Sequence, residues 1–261
     1  MNFNFHTHTY RCNHATGTEE EYVLRAIKKG IKFMGFSDHI PFAFPDGFES
    51  IYRVPTKFAE DYVKDVNKLK EKYADKIEIH VGFESEYYPE YFDKMLLDAK
   101  KWGAEFLILG QHFTKPEYSL NGGVVGRHTA KQTDSVKELN DYANSLIEGM
   151  KTGKFSYVCH PDIINFTGNK EDYVKAMHPI CVASTKLNIP LEINFLGIRD
   201  NRKYPNLLFW ELASSERSPV TFGFDSHDVL SAYDEASLEK AKTIVKNLNL
   251  NYIGKPKLLP L

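Results

Sequence analysis

Short apolar runs alternate along the chain with longer segments in which apolar residues recur at helical spacing. This alternation is typical of strand and helix units repeated around a parallel sheet. The apolar runs predict seven strands, at residues 3–5, 32–36, 77–82, 106–109, 157–159, 190–193 and 220–223.

The segments between these runs predict helices. The first opens with a capping pattern, Thr18 followed three residues later by Glu21, and it closes at Gly30. Two stretches with turn residues, 40–55 and 115–129, predict long ordered loops. The helices are expected at residues 18–29, 57–73, 89–102, 130–152, 170–187, 205–215 and 236–248.

The 261 residues suit a single domain, residues 1–261, because barrels of this size commonly fold as one unit and no low-complexity linker divides the chain. A formal net charge of -2 disfavours a nucleic-acid partner. The N-terminus does not resemble a secretory signal and no apolar run could span a bilayer, so we expect a cytoplasmic protein without a membrane partner. Three cysteines without paired spacing also fit a reducing compartment.

Residues that can bind metal ions follow nearly every predicted strand. The carboxyl ends of parallel strands in a barrel point to one face, so these side chains are expected to meet around one pocket. Imidazole and carboxylate together suit zinc, manganese or iron, and the number of these groups exceeds the four or so ligands of one zinc ion. The sequence therefore predicts catalytic chemistry at more than one metal ion. The residues are His6, His8, Asp38, His39, Glu84, His112, His160, Asp225 and His227.

Other ionisable residues fit this pattern less well. A histidine in isolation is more often a surface or core residue than a ligand. His80 lies inside the third predicted strand, His128 in a predicted loop and His178 in a predicted helix, so none is assigned to the site. Glu86 and Glu192 could point into the barrel, and their roles stay open.

The same residues resemble a known family. Their order, together with His14, resembles the polymerase and histidinol phosphatase (PHP) superfamily over almost the whole chain. The opening His-x-His-Thr, Ser37-Asp38-His39-x-Pro41 and Gly110-Gln111-His112-Phe113 look most like its histidinol-phosphate phosphatase branch. The resemblance implies an α/β fold, a distorted TIM-like (β/α)7 barrel of parallel strands, with three divalent metal ions at the carboxyl-terminal ends of the strands.

The resemblance also implies how the ligands divide among the ions. Glu84 would bridge the first metal ion and the second. The implied sets are His6, His8, Glu84 and Asp225 for the first ion, Glu84, His112 and His160 for the second, and His14, His39 and His227 for the third.

Membership of that branch implies a phosphatase whose partner is a small-molecule phosphate monoester, L-histidinol phosphate, converted to L-histidinol and inorganic phosphate in histidine biosynthesis. Two neighbouring metal ions can lower the pKa of a bridging water and hold the hydroxide in line with phosphorus. The superfamily also includes phosphatases of other small phosphates and of phosphotyrosine, nucleases, and non-catalytic metal-stabilised modules. These remain alternatives.

Three further residues are candidates for a role in catalysis. Arg199, just beyond the sixth predicted strand, is the first candidate for an arginine fork on the phosphate, and Arg127 is the second. Asp38 could orient the neighbouring imidazole of His39 or protonate the leaving alkoxide. The sequence does not separate these two roles.

Overall fold

Seven parallel strands surrounded by helices form the frame of the computed structural model, which describes residues 1–118 and 125–261. The strands are β1 (Phe3–Asn4), β2 (Phe33–Phe36), β3 (Glu78–Ser85), β4 (Phe106–Leu109), β5 (Leu191–Asn194), β6 (Pro219–Gly223) and β7 (Asn251–Tyr252). The helices are α1 (Glu19–Lys28), α2 (Ala59–Lys72), α3 (Phe92–Trp102), α4 (Val136–Lys151), α5 (Lys170–Leu187), α6 (Phe195–Arg199), α7 (Leu207–Ser215) and α8 (Glu235–Leu248).

The strands pair in chain order, β1 to β4 in one sheet and β5 to β7 in another. Val158 connects the two sheets, because it pairs with Leu109 of β4 and with Leu191 of β5. Thr7, just beyond β1, pairs with Ser226, just beyond β6, and so makes a second connection between the two sheets. The predicted α/β fold with parallel strands in a distorted TIM-like barrel is thereby confirmed.

Two strands differ from the prediction. The segment 157–159 is reduced to the single bridging residue Val158, because His160 follows with a φ of 32° and turns the chain out of the extended conformation. The strand β7 was not predicted. Its two residues are exposed and lack an apolar run, so hydrophobic patterning could not reveal it.

Side chains alternate between the interior of the barrel and the helices outside it, as the pleat of a strand requires. Along β4, Phe106 and Ile108 belong to a small buried cluster with Phe5, whereas Leu107 and Leu109 belong to the large core beneath the helices. The small cluster packs inside the barrel. Strand residues beyond it are therefore free to carry polar groups at the carboxyl-terminal face.

Helix boundaries follow the capping residues. Thr18 and Glu21 form the predicted capping box at the start of α1. Helix α4 begins six residues later than predicted, because the Ser135 side chain accepts the backbone N–H of Glu138 and caps it there.

The loop at 40–55 has neither a helix nor a strand, as predicted, and residues 119–124 of the predicted loop 115–129 lie outside the described residues. Within the described chain, every helix is too short or too polar to cross a membrane.

Candidate metal centre

The carboxyl ends of three strands bring two histidines and two carboxylates together. His6 and His8 follow β1, Glu84 lies in β3, and Asp225 follows β6. The Nε2 atom of His6 lies 3.6 Å from Glu84 Oε2 and 3.5 Å from Asp225 Oδ1. The Nε2 atom of His8 lies 3.3 Å and 3.4 Å from the same two oxygens. The four atoms therefore surround one point.

These four atoms fit a single metal ion. Each of them is buried and has no hydrogen-bond partner. An unpaired buried polar atom costs about 1–3 kcal/mol, so four such atoms facing one another are suited to bind a cation. Ligand atoms bound at 2.0–2.2 Å in a tetrahedron lie roughly 3.3–3.6 Å apart, which matches the observed spacing.

A second group gathers around the other oxygen of Glu84. The Nε2 atom of His160 lies 2.8 Å from Glu84 Oε1, and the Nε2 atom of His112 lies 3.3 Å from it. Gly110 makes room for this carboxylate, because a Cβ at that position would lie 1.9 Å from Oε1. Glu84 thus faces both groups with one oxygen each, as a carboxylate shared between two ions would.

A third group consists of three imidazoles close to His8. The ring of His14 lies 5.1 Å from the ring of His39 and 5.1 Å from the ring of His227. The rings of His39 and His227 lie 4.5 Å and 4.3 Å from that of His8. The structure therefore brings every predicted metal ligand into one contiguous cluster.

The protonation of these side chains follows from burial and neighbouring charge. Burial lowers the pKa of His14 to about 4 and holds the pKa of His39 well below its usual range, so both rings are neutral and can act as ligands. Burial opposes the ionisation of Glu84, but the surrounding imidazoles hold its pKa well below the usual range. Burial also lowers the pKa of His6, yet Glu192 and other carboxylates outweigh it and raise that pKa to about 10. Metal binding at His6 would therefore release a proton.

Buried carboxylates orient two of the imidazoles. Glu192 lies 2.9 Å from His6 Nδ1, and Asn194 donates to both Glu192 (2.7 Å) and Asp225 (3.0 Å). A carboxylate behind a metal-binding histidine fixes the tautomer that presents Nε2 to the ion. This answers the open question of Glu192. The sequence could have indicated this position, because Glu192 and Asn194 are two residues apart along β5 and therefore face the same side of the strand.

Glu86 has the same relation to His112. Its Oε1 atom lies 2.9 Å from His112 Nδ1, and its Oε2 atom accepts from Arg53 at 2.7 Å. Arg53 also donates to Glu117 at 2.6 Å and is only 2% exposed. Arg53 lies in the loop 40–55 and was not predicted to belong to the site. This buried ion-pair chain ties that loop to the metal centre.

Asp38 takes a position that differs from the expectation. Its two carboxylate oxygens accept the backbone N–H of Thr9 at 2.8 Å and the hydroxyl of Thr9 at 2.6 Å. Its nearest imidazole contact is with His8, at 3.8 Å, rather than with His39. Asp38 is fully buried, burial raises its pKa to about 6, and its side chain does not line the cavity described below. The two hydrogen bonds from Thr9, rather than adjacency to His39 in the chain, set the direction of the Asp38 side chain.

Two residues of the cluster have an unusual backbone conformation. His160 and Asp225 have positive φ values of 32° and 46°, in a region that residues other than glycine rarely adopt. Such conformations cost of order 1–3 kcal/mol and concentrate at functional sites. In this chain they aim side chains at the cluster immediately after the extended segments end.

Several side chains of the cluster line a cavity of about 450 Å³. Arg199 lines this cavity, as predicted for a phosphate-binding arginine, and donates to the backbone carbonyl of Asp225 at 3.2 Å. Arg202 lines it as well and was not predicted. Arg127 is not among the lining residues. It is instead held by the Glu138 carboxylate, 3.2 Å away, on the outer side of the loop.

The three histidines left out of the site fall into two classes. His80 is paired with Glu78 and Glu105, and His178 with Glu216, all away from the cavity. His128 differs, because it lines the cavity beside His112. His128 was not predicted to line the cavity, because it lies in a loop without hydrophobic periodicity.

Comparison with known proteins agrees with this geometry. A family model described as PHP domain matches residues 4–195. A probable histidinol-phosphatase of Deinococcus radiodurans is 25% identical over 228 residues, which cover 85% of this chain and 85% of that protein. The histidinol-phosphatase of Bacillus subtilis is 25% identical over 265 residues, covering 90% of this chain and 97% of that one.

A solved structure shares the fold. The histidinol phosphate phosphatase of Lactococcus lactis, crystallised with zinc, L-histidinol and phosphate, has a TM-score of 0.71 and 18% identity, covering 96% of this chain and 95% of that chain. The family model spans most of the sequence and includes β1 to β4, from which many of the clustered side chains come. The chain belongs to the PHP domain family.

Proposed function

We propose that this protein is a metal-dependent phosphatase that hydrolyses L-histidinol phosphate to L-histidinol and inorganic phosphate. The observation that carries the proposal is the cluster of buried, unpaired imidazole and carboxylate atoms at the base of an open cavity. The names of the similar proteins, histidinol-phosphatases from two bacteria, supply the substrate. We further propose that residues 1–261 form one domain and act in the cytoplasm.

Three ion positions are proposed, with the ligand sets that the family resemblance implies. Zinc, manganese and iron all suit this mixture of nitrogen and oxygen ligands. Bound ions would supply Lewis acidity, which lowers the pKa of water and offsets the charge of phosphate oxygens. The three sets are His6, His8, Glu84 and Asp225, then Glu84, His112 and His160, then His14, His39 and His227.

The chain's own residues prepare this site. Glu192 and Glu86 hold the His6 and His112 rings in the tautomer whose Nε2 atom faces the cluster. The compact apolar cluster inside the barrel keeps water from entering behind the ligands. This arrangement is preorganised, because the ligands need little movement to bind an ion.

Arginine side chains in the cavity wall are proposed to bind the phosphate. The Arg199 guanidinium donates hydrogen bonds to Asp234 and to two backbone carbonyls, which fix it at the cavity wall. Its remaining N–H groups can donate to phosphate oxygens. Arg199 is therefore preferred over Arg127, whose guanidinium is engaged outside the cavity.

The proposal is tested by turnover. The purified chain is reconstituted in turn with zinc, manganese and iron. Each preparation is assayed with L-histidinol phosphate, a phosphotyrosine peptide and a nucleoside monophosphate. We expect the highest kcat/KM for L-histidinol phosphate. A preference of more than tenfold for the peptide or the nucleotide would contradict the proposed substrate. Hydrolysis in oxygen-labelled water should place the label in phosphate, and label in L-histidinol would contradict attack at phosphorus.

A further inference from the structure

A half-exposed tyrosine ring stands at the cavity wall. Tyr52 lies in the loop 40–55, lines the cavity and is 44% exposed. Its ring centroid lies 6.1 Å from His14, 5.8 Å from Phe113 and 6.0 Å from His128. An aromatic surface thus begins at the metal cluster and continues along one wall.

The position of Tyr52 is fixed although its ring is uncovered. The side-chain amide of Asn13 donates to the carbonyls of Ile51 and Arg53, at 3.2 Å and 3.3 Å, on either side of Tyr52. The buried guanidinium of Arg53 is anchored in turn by Glu86 and by a second carboxylate. A rigid aromatic face can bind a ligand with little loss of conformational entropy.

The other two rings are held equally firmly. Phe113 and His128 pair across an antiparallel bridge, with ring centroids 5.2 Å apart. The Nδ1 atom of His128 accepts the backbone N–H of Ala130 at 3.2 Å, so in the neutral ring Nε2 carries the hydrogen. The wall therefore combines apolar ring faces with one hydrogen-bond donor.

We propose that Tyr52, supported by Phe113 and His128, receives the planar ring of the leaving alcohol and thereby determines substrate specificity. This inference rests on the proposed function, whose substrate carries an imidazole ring. An alcohol without a ring would leave the exposed ring of Tyr52 in contact with water. Ring–ring contacts are favourable by an amount that corresponds to roughly two- to tenfold in an equilibrium constant.

The test compares two phosphate esters. L-Histidinol phosphate carries the ring, whereas O-phosphoethanolamine is an aminoalkyl phosphate without it. In the metal-loaded protein, Tyr52→Leu should lower kcat/KM for L-histidinol phosphate roughly two- to tenfold, mostly through a higher KM, and leave kcat/KM for O-phosphoethanolamine unchanged. Tyr52→Phe keeps the ring and should retain the wild-type ratio between the two esters.

Phe48→Leu is the matched control. Phe48 lies in the same loop and is 43% exposed, but its ring packs on Phe44 and Tyr118 and does not line the cavity. We expect the wild-type ratio in this variant. An equal loss for both esters in Tyr52→Leu, or the same loss of ratio in Phe48→Leu, would overturn the role of Tyr52.

Failure of the proposed function gives a different result. A wild-type protein that hydrolyses neither ester, or both equally well, contradicts the proposed substrate and this inference together. A wild-type preference for L-histidinol phosphate that Tyr52→Leu preserves contradicts only the inference.

Discussion

The histidines of the candidate metal centre and those of the outer surface differ in how their ring nitrogens are satisfied. His80 lies within 2.8 Å of a carboxylate at both nitrogens, and His178 lies 2.7 Å from Glu216 at one. His8 is fully buried, and neither of its nitrogens has a hydrogen-bond partner. His6 has one nitrogen paired with a carboxylate and the other unpaired.

This difference separates a structural histidine from a candidate ligand. A histidine paired with carboxylates has its polar atoms satisfied by the protein alone, whereas a buried unpaired nitrogen carries a desolvation penalty. Several such atoms facing one another in the described residues indicate that an ion completes the site. Residue type cannot make this distinction, because both classes are imidazoles near acids.

The largest expected effect comes from the carboxylate shared by two ligand groups. Glu84→Gln removes its charge while keeping its size, so we expect turnover of the metal-supplied enzyme to fall by roughly a thousandfold or more, equivalent to several kcal/mol. Steady-state kinetics and metal content by mass spectrometry measure the effect. His178→Gln, at the outer surface, should retain full activity. Turnover of Glu84→Gln within tenfold of wild type would remove Glu84 from the site.

A smaller effect is expected from the carboxylate behind His6. Glu192→Gln weakens the hold on the His6 ring and should lower metal affinity or activity about 10- to 100-fold. Competition with a fluorescent chelator measures the affinity. The matched control is Glu216→Gln, which changes the carboxylate beside His178 and should leave metal affinity unchanged. Equal metal affinities in the two variants would contradict the distinction between structural histidines and candidate ligands.

Removal of metal ions should lower thermal stability. An ion at a hundred times its Kd stabilises the folded state by about 2.7 kcal/mol, which corresponds to a Tm shift of roughly 5–11 °C for a chain of this size. Calorimetry with and without a chelator measures the shift. Glu84→Gln should show a much smaller difference. A wild-type Tm that does not respond to the chelator would contradict a resident ion.

The smallest effect concerns His80 and depends on pH. Its hydrogen bond to Glu105 is the main cause of a pKa raised above 6.5. The stabilisation is therefore fully present below pH 6.5 and is lost as the pH rises through the folded-state pKa. His80 is partly exposed, so His80→Gln should cost less than about 1 kcal/mol at pH 6 and still less at pH 9. Urea unfolding at pH 6 and at pH 9 measures the free energy of unfolding of both proteins. A larger loss of stability at pH 9 than at pH 6 would contradict the prediction.

Sequence reasoning was most successful where a ligand follows an apolar run directly. His6, Glu84 and Asp225 were predicted because a strand and its terminal residue are neighbours in the chain. The contact of Asp38 was harder to predict, since adjacency in the chain suggested His39, whereas the carboxylate is held by the backbone N–H and hydroxyl of Thr9. The unpredicted strand β7 is too short and polar to leave a periodic signal.

Loop residues were beyond sequence reasoning. Tyr52, Arg53 and His128 all line the cavity, yet each lies in a segment without hydrophobic periodicity. Their positions depend on contacts with remote residues, such as the salt bridges of Arg53 with Glu86 and Glu117. Nothing in the local sequence encodes those partners.

By itself, the sequence determined the alternation of strands and helices, the parallel sheet and the set of metal-binding residue types at the strand ends. These features follow from local periodicity and from the shared direction of parallel strands. Only the tertiary structure decided which imidazole nitrogens are left unpaired, which carboxylates stand behind them and which rings form the cavity wall. The reason is that hydrogen-bond satisfaction and burial are properties of neighbours in space, and those neighbours are far apart along the chain.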